Sequence, residues 1–83
     1  MEVRLTAEAL EEYRLLPLTI RARVAVVLER LALWPDVSGT KPLRKSLKGL
    51  FRIRTGDWRI VIKPVGHVVW VVRIDNRRDV YEE

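Results

Sequence analysis

The sequence contains no cysteine. That absence excludes disulfides, cysteine-ligated zinc and thiol nucleophiles together, and it is compatible with a reducing compartment. Histidine occurs once, at His67 beside a turn sequence, with no second histidine or acidic cluster to accompany it. A metal site therefore lacks a ligand set, and neither a metal nor another cofactor is expected. Ser38 and Ser46 have no histidine–acid pair to activate them as nucleophiles. No glycine-rich phosphate loop is present. Apolar runs long enough to span a bilayer are missing too. The opening MEVRLTAEALEEY is acidic and has no apolar block behind a basic start, unlike a secretory signal. Internal repeats and low-complexity segments are absent. These absences lead us to expect a cytoplasmic protein without membrane contact, folded as a single domain over residues 1–83.

What is present begins with an apolar fraction of 48% in 83 residues, enough for a core and too high for disorder. A domain of this size buries little surface and is marginal in stability. The net charge of +5 is unevenly spread. Residues 1–40 carry five Arg against six acids, whereas residues 41–83 carry eleven Lys and Arg against five acids. Such asymmetry points to a polyanionic partner, against the alternative of a solvated basic surface.

EVRLT over residues 2–6 alternates and predicts a short strand. Thr6 suits a helix N-cap, with Glu8, Glu11 and Glu12 near the positive end of a helix over 7–16. Leu10, Tyr13 and Leu16 mark its buried side, and Pro17 breaks it. Thr19 is the expected cap of a second helix over 20–34. There Ile20, Val24, Val27, Leu28 and Leu31 form an apolar stripe, and Pro35 stops the helix. So short a link predicts an antiparallel helical hairpin. Residues 35–48 read as a loop.

From Leu50 the period becomes two. LFRIR and WRIVIK flank a two-residue Gly56-Asp57 turn, which pairs Arg54 with Arg59, Ile53 with Ile60, Arg52 with Val61 and Phe51 with Ile62. Pro64-Val65-Gly66 reads as a three-residue link that sets Ile62 against Val68 and Ile60 against Trp70. HVVWVVRID is apolar on both faces, as in a central strand. The expected fold is α+β: a two-layer βααβββ domain whose helical hairpin packs on one face of a small, twisted, mostly antiparallel sheet.

The other sheet face is expected to be open and to carry Arg52, Arg54 and Arg59. Like charges opposite each other destabilise a sheet, a cost that a bound anion would offset, and the planar guanidinium suits phosphate oxygens. The competing structural reading is that these long side chains cover apolar neighbours. Arg73, Arg77 and Arg78 form a second basic group. Tyr81 suits either base stacking and proton handling or closure of the core edge. Lys41, Arg44, Lys45 and Lys48 form a third group, either facing an RNA backbone or simply solvated. Trp34, Trp58 and Trp70 read as packing residues, with Trp58 placed to border a site beside Arg59.

The run LKGLFRIRTGDWRIVIKPVGHVVWVVRIDNRRDVYEE resembles the C-terminal half of RelE/ParE-superfamily toxins. The shared features are the Leu47-Lys48-Gly49 lead-in, an aromatic–basic–apolar–basic strand, a Gly-Asp-aromatic-Arg turn, an apolar strand and an Arg-rich Asp-Val-Tyr ending. With the helices that precede it, the resemblance covers nearly the whole chain. It implies a type II toxin of the RelE type that cleaves mRNA in the ribosomal A site and is neutralised by a cognate antitoxin. The antitoxin is expected to lay an amphipathic helix or strand on the toxin, with acids near its basic face. The resemblance places Arg59, Arg77 and Tyr81 as catalytic residues, with Arg52, Arg54, Lys45, Lys48 and Arg78 binding RNA phosphates. Some family members carry lysines where this chain has Arg52 and Arg54. Arginine keeps its proton, so these two are assigned to phosphate binding and Tyr81 is the local candidate for proton transfer. The superfamily implies two alternatives, a ParE-type inhibitor of DNA gyrase and an inactive antitoxin-binding module.

Overall fold

A computed structural model describes residues 1–76, apart from the side chain of Lys45. Strand β1 (Glu2–Leu5) leads into Thr6, which is extended and whose hydroxyl accepts the backbone N–H of Ala9 at 3.2 Å. Thr6 thus caps helix α1 (Ala7–Arg14) as its sequence predicts. The helix ends earlier than the expected 7–16, with Leu15 at its C-cap. Arg21 explains how it can stop there. Its guanidinium donates to the carbonyls of Arg14 at 2.6 Å and Leu16 at 3.4 Å, satisfying acceptors that a helix end leaves over. The same group stands 5.9 Å from the centroid of the Tyr13 ring.

Helix α2 spans Leu18–Leu31, shifted toward the N-terminus from the expected 20–34. Pro17, not Thr19, occupies its N-cap position, with no side-chain cap hydrogen bond. A proline needs no N–H partner at a helix start, so Pro17 both ends α1 and admits α2. Beyond Leu31 the N–H groups of Ala32, Leu33 and Trp34 each reach back three residues, which tightens the chain before Pro35.

Residues 35–48 are not all loop. They contain the two-residue strand β2 (Lys41–Pro42) and a 3-10 turn over Lys45–Leu47. Two residues are too few for a period to register, and Pro42 confines this strand to a sheet edge. Strands β3 (Phe51–Thr55) and β4 (Trp58–Val65) form the first hairpin in the predicted register. Gly56 takes φ +59° in its turn, a conformation that a side chain would strain.

The second hairpin departs from expectation. Strand β5 (Val68–Asn76) pairs with β4 from Val65↔Val68, so the turn is the two-residue Gly66-His67. Ile62 faces Val71 and Ile60 faces Ile74, with a register shift between Val61 and Ile62 that leaves Val72 as an extra residue. This bulge lets Val69, Val71 and Ile74 all reach the core although their spacing is not strictly two.

The sheet order is β1-β5-β4-β3-β2, with β1 parallel to β5 and the other neighbours antiparallel. Ala9 and Leu16 meet Val24, Val27 and Leu31 of α2 and Ile53, Ile60, Ile62, Val69, Val71 and Ile74 of the sheet in one apolar cluster. Among the described residues the architecture is therefore α+β, with two helices on one face of a five-stranded sheet. Leu10, expected inside, is 41% exposed, and Ala9 takes its place. Among the described residues, no helix is long and apolar enough to cross a membrane.

These placements separate two leucines of like sequence context. Leu31→Ala, at a position with 0% exposure, should lower unfolding free energy by about 2–5 kcal/mol. Leu10→Ala should change it by less than about 0.5 kcal/mol. Urea denaturation of the two variants checks both, and a large loss from Leu10→Ala would contradict the packing.

Candidate functional site

Parity divides the sheet. Phe51, Ile53, Trp58, Ile60 and Ile62 belong to the core side, so Arg52, Arg54, Arg59, Val61 and Lys63 belong to the opposite face. Trp58 packs against the core cluster and so lies behind the sheet from Arg59, not beside it on the open face. Two rows cross the open face. One runs Arg54↔Arg59↔Asp75 over β3, β4 and β5. The other runs Lys41↔Arg52↔Val61↔Arg73 from β2 to β5. Val61 is only 4% exposed, and its register neighbours are long arginine side chains. Both roles foreseen for these arginines, anion binding and shielding of apolar surface, are therefore compatible with the same residues.

The three hairpin arginines are not equivalent. Arg54 is exposed, and Arg52 is half-buried. The Arg59 side chain is 12% exposed and its Nε lies 3.4 Å from Oδ1 of Asp75, whose side chain is 9% exposed. At that distance the pair is held by charge in a poorly solvated setting more than by a short hydrogen bond. The repulsion between Arg54 and Arg59, which the sequence alone assigns to an external anion, is met from within the protein by Asp75. Burial pushes the Asp75 carboxyl above its usual pKa, while Arg59 and then Arg73 pull it back.

Arg73 is held by acids of α1 and β5. Its Nε lies 3.0 Å from Glu12 and 3.2 Å from Glu8 on α1, and its Nη2 lies 3.7 Å from Oδ2 of Asp75. Glu12 also accepts the backbone N–H of Ile74 at 2.8 Å. A chain of alternating charge thus runs from α1 through Arg73 and Asp75 to Arg59. Asp75 and Glu12 are the two members that sequence reasoning missed. In the sequence Glu12 is part of an acidic helix start, and Asp75 is the end of an apolar strand. A lone acid closing such a strand, two residues from an arginine, is the signal that was available.

Lys41, Arg44 and Lys48 are exposed around the 3-10 turn, at the β2 edge of the sheet. Arg77, Arg78 and Tyr81, and the side chain of Lys45, lie outside the described residues. Among the described residues, no group of three or more His, Cys, Asp or Glu is placed to hold a metal ion. What the open face offers is a bed of guanidinium and ammonium groups, with one arginine held by a buried carboxylate. Such a surface favours phosphodiester oxygens.

A family model described as the ParE toxin of type II toxin–antitoxin systems matches residues 3–81. The chain belongs to the RelE/ParE toxin superfamily. The toxin is similar to solved members across most of its length. A chain in the RelBE2 toxin–antitoxin complex of Mycobacterium tuberculosis superposes with a TM-score of 0.81 at 32% identity, covering 92% of this chain and 96% of that one. A YoeB/ParE toxin from Agrobacterium tumefaciens gives 0.78 at 17% identity, over 92% and 98%. The isolated E. coli RelE toxin gives 0.76 at 20% identity, over 90% and 82%. Among curated proteins, none matches the chain.

The raised pKa of Asp75 carries a sign. The folded state holds this proton more tightly than the unfolded chain does, so the group's contribution to stability is greatest at low pH. It falls as pH rises from the ordinary value of 3.8 through the raised folded value, and is lost above it. An asparagine side chain at this position would not titrate. Urea unfolding across that window should therefore show wild type losing stability relative to Asp75→Asn as pH rises. Wild-type stability that rises with pH relative to Asp75→Asn would show that the two arginines outweigh burial, and a flat profile would show that they balance it.

Proposed function

We propose that the toxin is a RelE-type endoribonuclease that cleaves mRNA in the ribosomal A site. The observation that carries this reading is the row Arg54–Arg59–Asp75, which places a carboxylate-anchored guanidinium on an open cationic face. In the proposed reaction the ribose 2′-oxygen bonds to the adjacent phosphorus as the bond to the 5′-oxygen breaks. The proton leaves the 2′-hydroxyl for a base, and the departing 5′-oxygen acquires one. Arg59 and Arg77 stabilise the charge that develops on the phosphoryl oxygens. Arg52, Arg54, Lys45, Lys48 and Arg78 bind neighbouring phosphates, and Tyr81 orients a base or passes the proton.

Preorganisation favours Arg59 for this role. A guanidinium held by a buried carboxylate loses little freedom when substrate arrives, which lowers the cost of orienting it. The Asp75 charge also means that Arg59 does not need a permanent bound anion to be tolerated. Because the described face offers no strong base beyond an ion-paired carboxylate, the ribosome is assigned the task of positioning the 2′-hydroxyl.

A second reading has its own support. The matching family model is described by ParE, and ParE-type relatives are implied to inhibit DNA gyrase. One experiment separates the readings: primer-extension mapping of mRNA ends in translating extract with wild type and Arg59→Ala. New ends in the A-site codon should appear with wild type and fall by about a hundredfold or more with the variant. Intact message accompanied by DNA damage would send the function to gyrase.

The proposed partner, a cognate antitoxin, is supported by a relative solved as a toxin–antitoxin complex. Exposed Leu15, Leu18, Val26 and Leu33 supply apolar surface along the helical layer, while the open face supplies positive charge. An amphipathic, acidic antitoxin segment fits both. Its association rate should fall as salt rises, measured by stopped-flow mixing. A rate indifferent to salt would remove charge complementarity from the account.

A further inference from the structure

Three tryptophans occur in the chain. Trp34 and Trp58 pack against the core cluster, and Trp34 meets Phe51 edge-on at 4.9 Å between centroids. Trp70 does otherwise. It lies between Val69 and Val71, both at 0% exposure in the core, so alternation places it on the open face. Its register partners there are Arg4 on β1 and Lys63 on β4, both exposed, and Trp70 itself is half-buried. Among the described residues, it is the only aromatic on that face.

The row Arg4–Trp70–Lys63 spans three strands, about 10 Å across. Arg4 and Lys63 flank Trp70 in the register, one on each neighbouring strand. Among the described residues, the cation standing over an aromatic ring is Arg21 over Tyr13. Arg4 is paired with Glu2, but both are well exposed, and such surface pairs contribute little and exchange readily. Along β4, Lys63 lies four residues from Arg59, about 13 Å away on the same face. A single strand covers that separation in a few nucleotides.

We propose that Trp70, flanked by Arg4 and Lys63, forms a second nucleotide subsite for single-stranded RNA on the open sheet face. The indole stacks on one base, and the two cations hold the phosphates on either side of it. Stacking on an indole tolerates any base, so the subsite supplies grip and direction without sequence preference. The proposal rests on the reading that the open face binds RNA, and it extends the path of the strand away from Arg59 toward β1.

The test uses fluorescence anisotropy at low salt with the whole protein and labelled RNAs made uncleavable by 2′-deoxy substitution. An octanucleotide reaches both subsites, whereas a dinucleotide reaches one. Trp70→Ala should weaken octanucleotide binding about tenfold and leave the dinucleotide nearly unchanged, while Trp70→Phe should restore most of the affinity. Intrinsic fluorescence gives a second readout should Trp70→Ala fold poorly. Octanucleotide should quench wild-type emission, and the quenching should vanish in Trp70→Phe. If Arg59→Ala weakens the octanucleotide but Trp70→Ala does not, or if quenching persists without Trp70, the subsite is overturned and the RNA reading stands. If wild type fails to bind the octanucleotide, or Arg59→Ala and Trp70→Ala both leave it unchanged, the RNA reading of this face falls and the subsite with it.

Discussion

The hydrogen bond from the Ile74 backbone to Glu12 determines how the far end of the sheet is finished. β1 accompanies β5 only as far as Leu5↔Val71, and the N–H of Thr6 then takes the Val71 carbonyl. Past that point β5 would present a bare edge on one side while still paired with β4 on the other. An unpaired backbone donor in a half-buried position is costly. Glu12, reaching from α1, replaces the missing strand at one position. The helix is thereby fixed against the sheet at the level where Arg73 and Asp75 stand, and the bulge at Val72 falls within the same changeover.

The electrostatic layout follows from that junction. A carboxylate as buried as Asp75 is tolerable only with cations on it, and Arg59 and Arg73 provide them from two sides. Arg73 is in turn steadied by two glutamates of α1. Removing Arg59 leaves the buried Asp75 carboxylate facing Arg73, which is 3.7 Å away and 48% exposed. The arrangement therefore contributes more to the geometry of Arg59 than to net stability. Arg54, across the hairpin, has no such anchor in the described contacts and is exposed.

Legibility in the sequence tracked how much information each segment's pattern carried. LFRIRTGDWRIVIK announced its hairpin because alternation is strict and the Gly-Asp turn admits one register. VVWVV did not, because its residues are apolar at every position. Parity then has no marker, and a bulge at Val72 leaves no trace in composition. That one ambiguity misplaced Trp70 opposite Ile60 and hid its place beside Lys63. The arginines of the open face were legible as types on a face. The partnership of Arg59 with Asp75 was not, since it depends on a register that only the folded β5 supplies. Helix limits shifted by two or three residues wherever proline and reversed carbonyl bonding, not periodicity, decided the end.

The parallel pairing of β1 with β5 has a consequence in time. Glu2 must find Val68, so β1 waits for β5 before it has a partner. Helices and the hairpin of β3 and β4 form from near neighbours, but closure of β1 onto β5 is among the most non-local contacts in the fold and is entropically slow. On a translating ribosome the sheet can close only after β5 has cleared the exit tunnel. The Glu12–Ile74 bond and the Arg59–Asp75 pair both wait on the same strand. A nascent chain is thus held without its assembled cationic face until β5 has emerged, an order set by topology alone.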